Sequence, residues 1–381
     1  MRATSLALRL GAIAGILHAS PAPAQSGVPL VRLTKPDAVS AEGFNAVSGL
    51  AELKGGRVVG VDGRDGVIRL IDYAKGTVSQ VGRSGNGPGE YRGPGGALTL
   101  NGDTVWVTSV FNRRILGITP DGEIASAVEV PVAAMFSGRA GYNFSAFLGR
   151  DPAGHFYWES FNFDPARPMG QFTLTADIYR WRQGTETAEV VRTIVFRDKD
   201  FPIAFNRRDG WSVAPDGSVA FVYGADYHVE WVGADGAVTK GAPTAYERIK
   251  VTEHEREEWT RERAAAGGAG RSLMTGPPGQ RASGPAPAPR PAPDIKFPEE
   301  KPPFPDRNGV WVSREGELWV VTSGSVDAKT TLVDVFDRAG KRVRQVELPA
   351  KSRVAGFGVK TVYLAREDDD GVLWIDRHRL P

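Results

Sequence analysis

A recurring pair of glycine turns constrains this chain more than any other feature. One set of turns is Lys54-Gly55-Gly56, Asn101-Gly102-Asp103, Asp151-Pro152-Ala153-Gly154, Pro215-Asp216-Gly217 and Arg314-Glu315-Gly316. Each leads into an alternating run rich in valine and aromatics, such as Thr104-Val105-Trp106-Val107 or Glu317-Leu318-Trp319-Val320-Val321. Runs of that kind bounded by turn residues read as hairpin strands. A second turn follows each, at Ala74-Lys75-Gly76, Pro120-Asp121-Gly122, Gln183-Gly184, Ala234-Asp235-Gly236 and Arg338-Ala339-Gly340, with glycine-to-glycine lags of 20, 20, 30, 19 and 24 residues. The unit is therefore four strands, A to D, with a tight A–B turn, a longer B–C loop and a C–D turn. It recurs about every 45 residues, the period of propeller blades.

Units begin near Phe44, Gly95, Phe144, Gly210, Asn308 and Ser352. The predicted fold is all-β, a six-bladed β-propeller. The last unit has A (Arg353–Ala355), B (Thr361–Ala365) and C (Val372–Asp376) strands and then runs out of chain. The unassigned strand Val28–Leu33 is expected to supply its outer strand and close the ring, hiding an edge that would otherwise invite aggregation.

One stretch breaks the repeat. Residues 252–305 are predicted to be a Pro-rich, partly helical and partly disordered insertion within a propeller spanning 25–381. Thr252-Glu253-His254-Glu255 reads as a capping box opening a helix to about Ala266, with Glu257 and Arg261 spaced as an i,i+4 pair. Pro285 to Pro291 alternates proline with small residues and cannot bury a core.

Residues 1–24 have the anatomy of a secretory signal peptide: Arg2 and Arg9, an apolar run from Leu10 to Leu17 too short to span a bilayer, and Ala22-Pro23-Ala24 before the expected cleavage point. The expectation is a periplasmic or secreted protein, with no transmembrane segment once the leader is removed. The chain has no cysteine, which excludes disulfides, thiolate metal sites and a cysteine nucleophile. Of 47 basic residues, Arg2 and Arg9 go with the leader, leaving 45 against 45 acidic ones. That balance gives no electrostatic case for nucleic acid as a partner.

Two phrases resemble a known family. Gly82-Arg83-Ser84-Gly85-Asn86-Gly87-Pro88-Gly89-Glu90-Tyr91 resembles the Gly-x-Gly-Pro-Gly-Glu-aromatic loop of secreted six-bladed β-propeller proteins of environmental bacteria, whose repeats are NHL- and TolB-like. Val333 to Pro349 is similar to their fifth-blade ending, and Thr104 to Pro131 to an NHL-type repeat. The resemblance implies the fold over most of the chain outside the insertion. It carries no catalytic residue, since no activity is assigned to that family.

The chemistry-bearing residues give no catalytic motif. The glycine loop at 82–90 has amides free to cradle an anion. It leads into a strand rather than a helix, so it meets neither phosphate-loop nor dinucleotide context. His155, His228, His254 and His378 form no His-x-x-x-His pair. No cofactor is implied; calcium is the one ion that Glu367-Asp368-Asp369-Asp370 has the charge to attract, though it lacks the alternate-residue spacing of a calcium loop. The B–C loops and blade-to-blade connections share one face in a propeller. The candidate ligand-binding residues there are Asp62, Arg64, Arg83, Arg92, Asn112, Arg113, Arg114, Asp226, Tyr227, Lys329 and Glu367, with Asp65, Asp327 and Asp368 nearby. The leading expectation is a monomeric, non-catalytic binding or scaffold module that recognises a protein, peptide or glycan through this face. The alternative is a metal-dependent lactonase- or lyase-like enzyme with its site at the channel, to which inner-strand acids such as Glu52 would contribute.

Overall fold

The computed structural model describes residues 27–101, 103–135, 148–162, 172–202, 204–273, 295–305 and 309–380. The expected leader at 1–24, the expected unit starts at Phe144 and Asn308, and the proline run 285–291 lie outside the described residues. The rest is a ring of antiparallel four-stranded blades. The first holds Val47–Glu52, Val58–Asp62, Val67–Asp72 and Thr77–Val81, and the second Pro94–Asn101, Thr104–Ser109, Arg114–Ile118 and Ile124–Glu129. The third holds Gly149–Arg150, His155–Phe161, Leu174–Arg182 and Glu189–Arg197, and the fourth Gly210–Val213, Val219–Tyr223, His228–Val232 and Val238–Lys240. Val310–Val312, Leu318–Val321, Thr331–Phe336 and Arg342–Leu348 form the fifth; Ser352–Gly358, Thr361–Glu367 and Leu373–Arg379 belong to the sixth.

The residue pattern explains the stacking. Middle strands such as Val58–Asp62 are buried along their whole length, because a neighbouring blade covers each face, whereas the outer strand Thr77–Val81 is largely exposed. Six hydrophobic clusters fill the six interfaces between blades, from Val59, Val61, Val105 and Val107 between the first and second to Phe44, Ala355, Tyr363 and Ile375 between the sixth and first. The inner strands crowd the axis closely enough to need glycine. A Cβ on Gly96 would sit 2.9 Å from the Ser48 carbonyl oxygen, and one on Gly356 would run into the backbone of Leu50, with which it pairs in parallel register.

Ring closure differs from the expectation. Leu30–Arg32, within the expected closing strand, pairs in parallel with Gln345–Glu347 and becomes a fifth strand on the fifth blade. The short tract Ala38–Val39 completes the sixth blade instead, antiparallel to Asp376–Arg377, and Phe44 bridges to Leu373. Ser40 extends this pairing with backbone and side-chain hydrogen bonds to Ile375. The physical reason is that Leu33 and Val31 find an apolar site against the fifth and sixth blades, while Phe44 fills the sixth-to-first interface and pulls the intervening tract into the last place.

The insertion leaves the fourth blade's outer strand and returns to the fifth blade's inner strand, on the same face as the B–C loops. Its root is clamped: Val251 N–H donates to Glu299 O (2.9 Å), Lys301 N–H to Ile249 O (2.8 Å), and Lys250 bridges to Glu300. The helix spans Glu253–Leu273, beyond the expected end at Ala266; the added residues 267–273 contain no proline but three glycines, which helix propensity disfavours. Half of the expected capping box forms, with Glu255 N–H donating to Thr252 Oγ1 at 3.3 Å. The Glu255 carboxylate turns inward instead, accepting from Val326 N–H (2.8 Å) and pairing with Lys301 (2.6 Å) in a site where both are almost fully buried. Arg261 pairs with Glu258 one turn back, not with Glu257. Among the described residues no helix is long and apolar enough to cross a membrane.

Candidate functional site

The six inner strands leave a channel along the axis, and its described wall encloses a cavity of about 340 Å³. Val47, Ser48 and Gly49 come from the first blade, Leu148 from the third, Trp211 and Ser212 from the fourth, Val310 and Trp311 from the fifth, and Arg353 and Ala355 from the sixth. Each position follows from its strand. The inner strand starts at the loop face and has no partner on its axial side, so part of its surface lines the lumen. Trp211 is held by an indole N–H bond to Glu159 Oε2 (2.9 Å) behind the wall, and Ser212 Oγ accepts from Val312 N–H at 3.1 Å.

Arg353 is the chemical centre of this wall. One guanidinium nitrogen donates to the Val47 carbonyl (3.0 Å), and among the described residues no carboxylate pairs with it. Water reaches the side chain, yet the channel wall surrounds it. Burial therefore pushes its ionisation below the usual arginine value, offset only in part by the more distant Glu367. Among the described residues the lining contains no carboxylate and no imidazole. A cation without a carboxylate partner, lining the same cavity as two tryptophans and aliphatic side chains, favours a ligand with a negative head and a flat apolar body.

The predicted loop-face residues fall into two groups. Arg64, Arg92 and Arg113 are exposed, and none makes a side-chain ion pair among the described residues. Topology puts them on the channel's loop face, where they extend the positive character of Arg353. The others, Lys329 and Glu367 apart, are tied into local structure. Asp62 is fully buried and accepts from the backbone N–H groups of Asn45, Ala46, Arg64 and Asp65. Arg83 pairs with Glu90 (2.7 Å), Arg114 donates to Asn86 O (3.1 Å), and Asn112 bonds Ser109 Oγ. Asp226 bonds His228 (2.5 Å), and Tyr227, buried at φ +52°, donates to Asp334 (2.7 Å). Lys329 and Glu367 are exposed on the fifth and sixth blades' loops.

The remaining sequence candidates are accounted for by structure. In the glycine loop, Gly87 N–H and Arg83 both bond the Glu90 carboxylate at 2.7 Å, which holds that acid below its usual range; the loop's anion is its own side chain. Asp368 is likewise held low, by the Trp374 indole N–H and then by Val372 N–H, so this acid of the 367–370 run is used to build its turn. His155 begins a B strand and His228 a C strand, which puts them on opposite faces of neighbouring blades. Glu52 lies at the far end of the channel, bonded to Tyr363 (2.5 Å). Among the described residues no three histidine, aspartate or glutamate side chains gather where they could hold a metal ion, and the described channel lining supplies no carboxylate or imidazole ligand.

Sequence reasoning missed Arg353, Trp211 and Trp311 as site residues. The signal was present: an arginine inside an inner-strand run, and tryptophan one residue into two others, where a packed axis would favour small side chains.

The strand order, six interfaces and axial cavity define a β-propeller. No protein-family model and no curated protein matches the chain. Solved structures similar to it include a calcium-binding protein, regucalcin, from Agrobacterium tumefaciens, at 12% identity over 93% of this chain and 97% of that one, TM-score 0.43. A gluconolactonase from Xanthomonas campestris is 14% identical over 89% and 87%, TM-score 0.44. Virginiamycin B lyase from Staphylococcus aureus is 14% identical over 90% and 82%, TM-score 0.37. At such scores the fold assignment rests on the strand order itself.

Proposed function

We propose that the axial channel is a small-molecule site for an organic anion, a carboxylate or phosphate ester carrying a flat apolar group. The observation that carries this reading is Arg353, a guanidinium with no carboxylate partner among the described residues, set in a cavity walled by Trp211, Trp311 and Leu148. Arg64, Arg92 and Arg113 on the same face would raise the local anion concentration at the mouth. The reading adds export through the 1–24 leader, so the ligand would be met outside the cytoplasm.

This places the work at the channel rather than in docking a protein, peptide or glycan on the loops. Chemistry on the bound ligand is the second reading, and it sits closer to what the similar structures are named for, a gluconolactonase and a lyase. Those likenesses carry no activity over. The channel offers Ser48, Ser212 and Arg353 to such chemistry rather than a set of metal ligands.

Calorimetric titration with benzoate, phenyl phosphate and benzamide tests the proposal. The two anions should bind, and benzamide should bind at least about tenfold more weakly. A hydrogen bond to a charged group contributes about 1.5–3 kcal/mol, so Arg353→Met should weaken benzoate binding about tenfold to a hundredfold. Equal affinity for benzoate and benzamide, or an unchanged affinity in Arg353→Met, would refute it.

A further inference from the structure

We propose a second binding site, for a neutral sugar, in the cleft between the root of the insertion and the fifth blade. The cleft encloses about 440 Å³, more than the channel. On one side stand Tyr246 and Ile249 of the insertion root. On the other stand the fifth blade's B–C loop and the faces of its two outer strands.

The floor is polar and fixed. Asp334 is fully buried, and its carboxylate accepts from the Tyr227 hydroxyl (2.7 Å), Arg342 Nη1 (3.1 Å) and Gln345 Nε2 (2.8 Å). Its charge is thus neutralised in place, and the groups around it cannot swing away without leaving a buried carboxylate unpaired. Arg342 Nε is buried without a partner, which leaves one donor of the floor unspent.

The wall is a row of hydroxyls. Ser323, Thr330 and Thr331 all line the cleft, and their side-chain hydroxyls make no hydrogen bond among the described residues. Three free hydroxyls over a fixed polar floor call for a ligand dense in both donors and acceptors. An alkyl chain would strand them, at a desolvation cost for each. Charge decides the rest. Glu247 lines the cleft with no ion pair among the described residues, whereas Glu347 faces Arg32 at 3.6 Å and Arg342 is already committed to Asp334. The balance repels an anion, so the ligand that suits this cleft is a different class from the one that suits the channel. A neutral sugar supplies hydroxyls for the wall and a C–H face for Tyr246, Ile249 and Leu332.

Saturation-transfer NMR and calorimetry with glucose, maltose, cellobiose and glucuronate on the full chain test this. At least one neutral sugar should bind, and glucuronate should bind more weakly than glucose. Thr331→Val removes one hydroxyl from a half-buried wall and should weaken binding about threefold to tenfold without moving the melting temperature. Ser323→Ala, on the loop, gives the same readout if the strand variant fails to fold. Arg353→Met should leave sugar binding unchanged, which separates this site from the channel. Absence of transfer from all three neutral sugars, tighter binding of glucuronate, or indifference to both hydroxyl variants would overturn the proposal.

Discussion

Phe44→Ala should cost the ring more than any substitution in the N-terminal strand that precedes it. Phe44 is 1% exposed and sits in the cluster joining the sixth and first blades, with Arg69 5.0 Å above its ring. Deleting a buried phenyl group costs about 3–5 kcal/mol, and losing the cation–π contact adds about 0.5–1 kcal/mol. The backbone bonds between Phe44 and Leu373, at 2.8 and 2.9 Å, survive the substitution, so the loss is of packing alone. A chain of this size loses about 2 °C of melting temperature per kcal/mol, giving a fall of roughly 7–12 °C. Leu33→Ala is the matched control. Leu33 is 8% exposed but packs at the outer edge of the fifth blade, where the site can relax, so about 2 kcal/mol and a fall of roughly 4 °C are expected. Differential scanning calorimetry of both variants decides. A larger fall for Leu33→Ala than for Phe44→Ala would refute the assignment of closure to the tract from Ala38 to Phe44.

Two further outcomes follow from ion pairs. Asp37 joins the closing tract to Arg377 (2.8 Å) and Arg379 (3.3 Å); desolvation raises its pKa, but the two guanidinium groups together bring it below the usual value. A lowered folded-state value means its contribution is present above about pH 4, the unfolded value, and is lost as pH falls through the folded one. Asp37→Asn should therefore lower the melting temperature at neutral pH and converge with the native chain in acid; a constant gap across pH would contradict this. Glu255→Ala leaves Lys301 charged and nearly buried, at a cost of about 3–5 kcal/mol, and strips the acceptor from Val326 N–H. Hydrogen exchange at 249–251 and 299–301 should accelerate while the first three blades keep their protection, and uniform exchange across the ring would contradict a local clamp.

The blades were legible because each is written twice, once as a turn and once as the strands beside it. Gly217, Gly236, Gly316 and Gly340 all adopt the positive φ their turns require. The pairing of the N-terminal tract was not legible. Val28 to Leu33 alternates like a strand, but nothing local says which blade it joins, while Ala38–Val39 is too short to show any period and depends on Ser40 and Phe44 for its place. The loop-face arginines were visible as charges, and three of them remain unpaired among the described residues. Arg353 and the two tryptophans were hidden because alternation shows which residues belong to an inner strand but not how wide a lumen the six strands leave. Asp62, Asn112 and Tyr227 read as loop residues facing water, yet the Asp62 carboxylate, the Asn112 carbonyl and the Tyr227 hydroxyl are spent on turns and interblade contacts.

Closure by an early tract also sets an order of events. The hydrogen bond from Ile375 N–H to Ser40 Oγ joins residues 335 positions apart, whereas the hairpins within each blade join near neighbours. Hairpins form locally and quickly; so distant a contact must await the whole intervening chain and bears its loop-closure entropy last. Until then the sixth blade presents an unpaired edge at Leu373–Arg379, a template for a foreign strand. The tract from Ala38 to Phe44 therefore works as a latch that covers the Leu373–Arg379 edge once it engages.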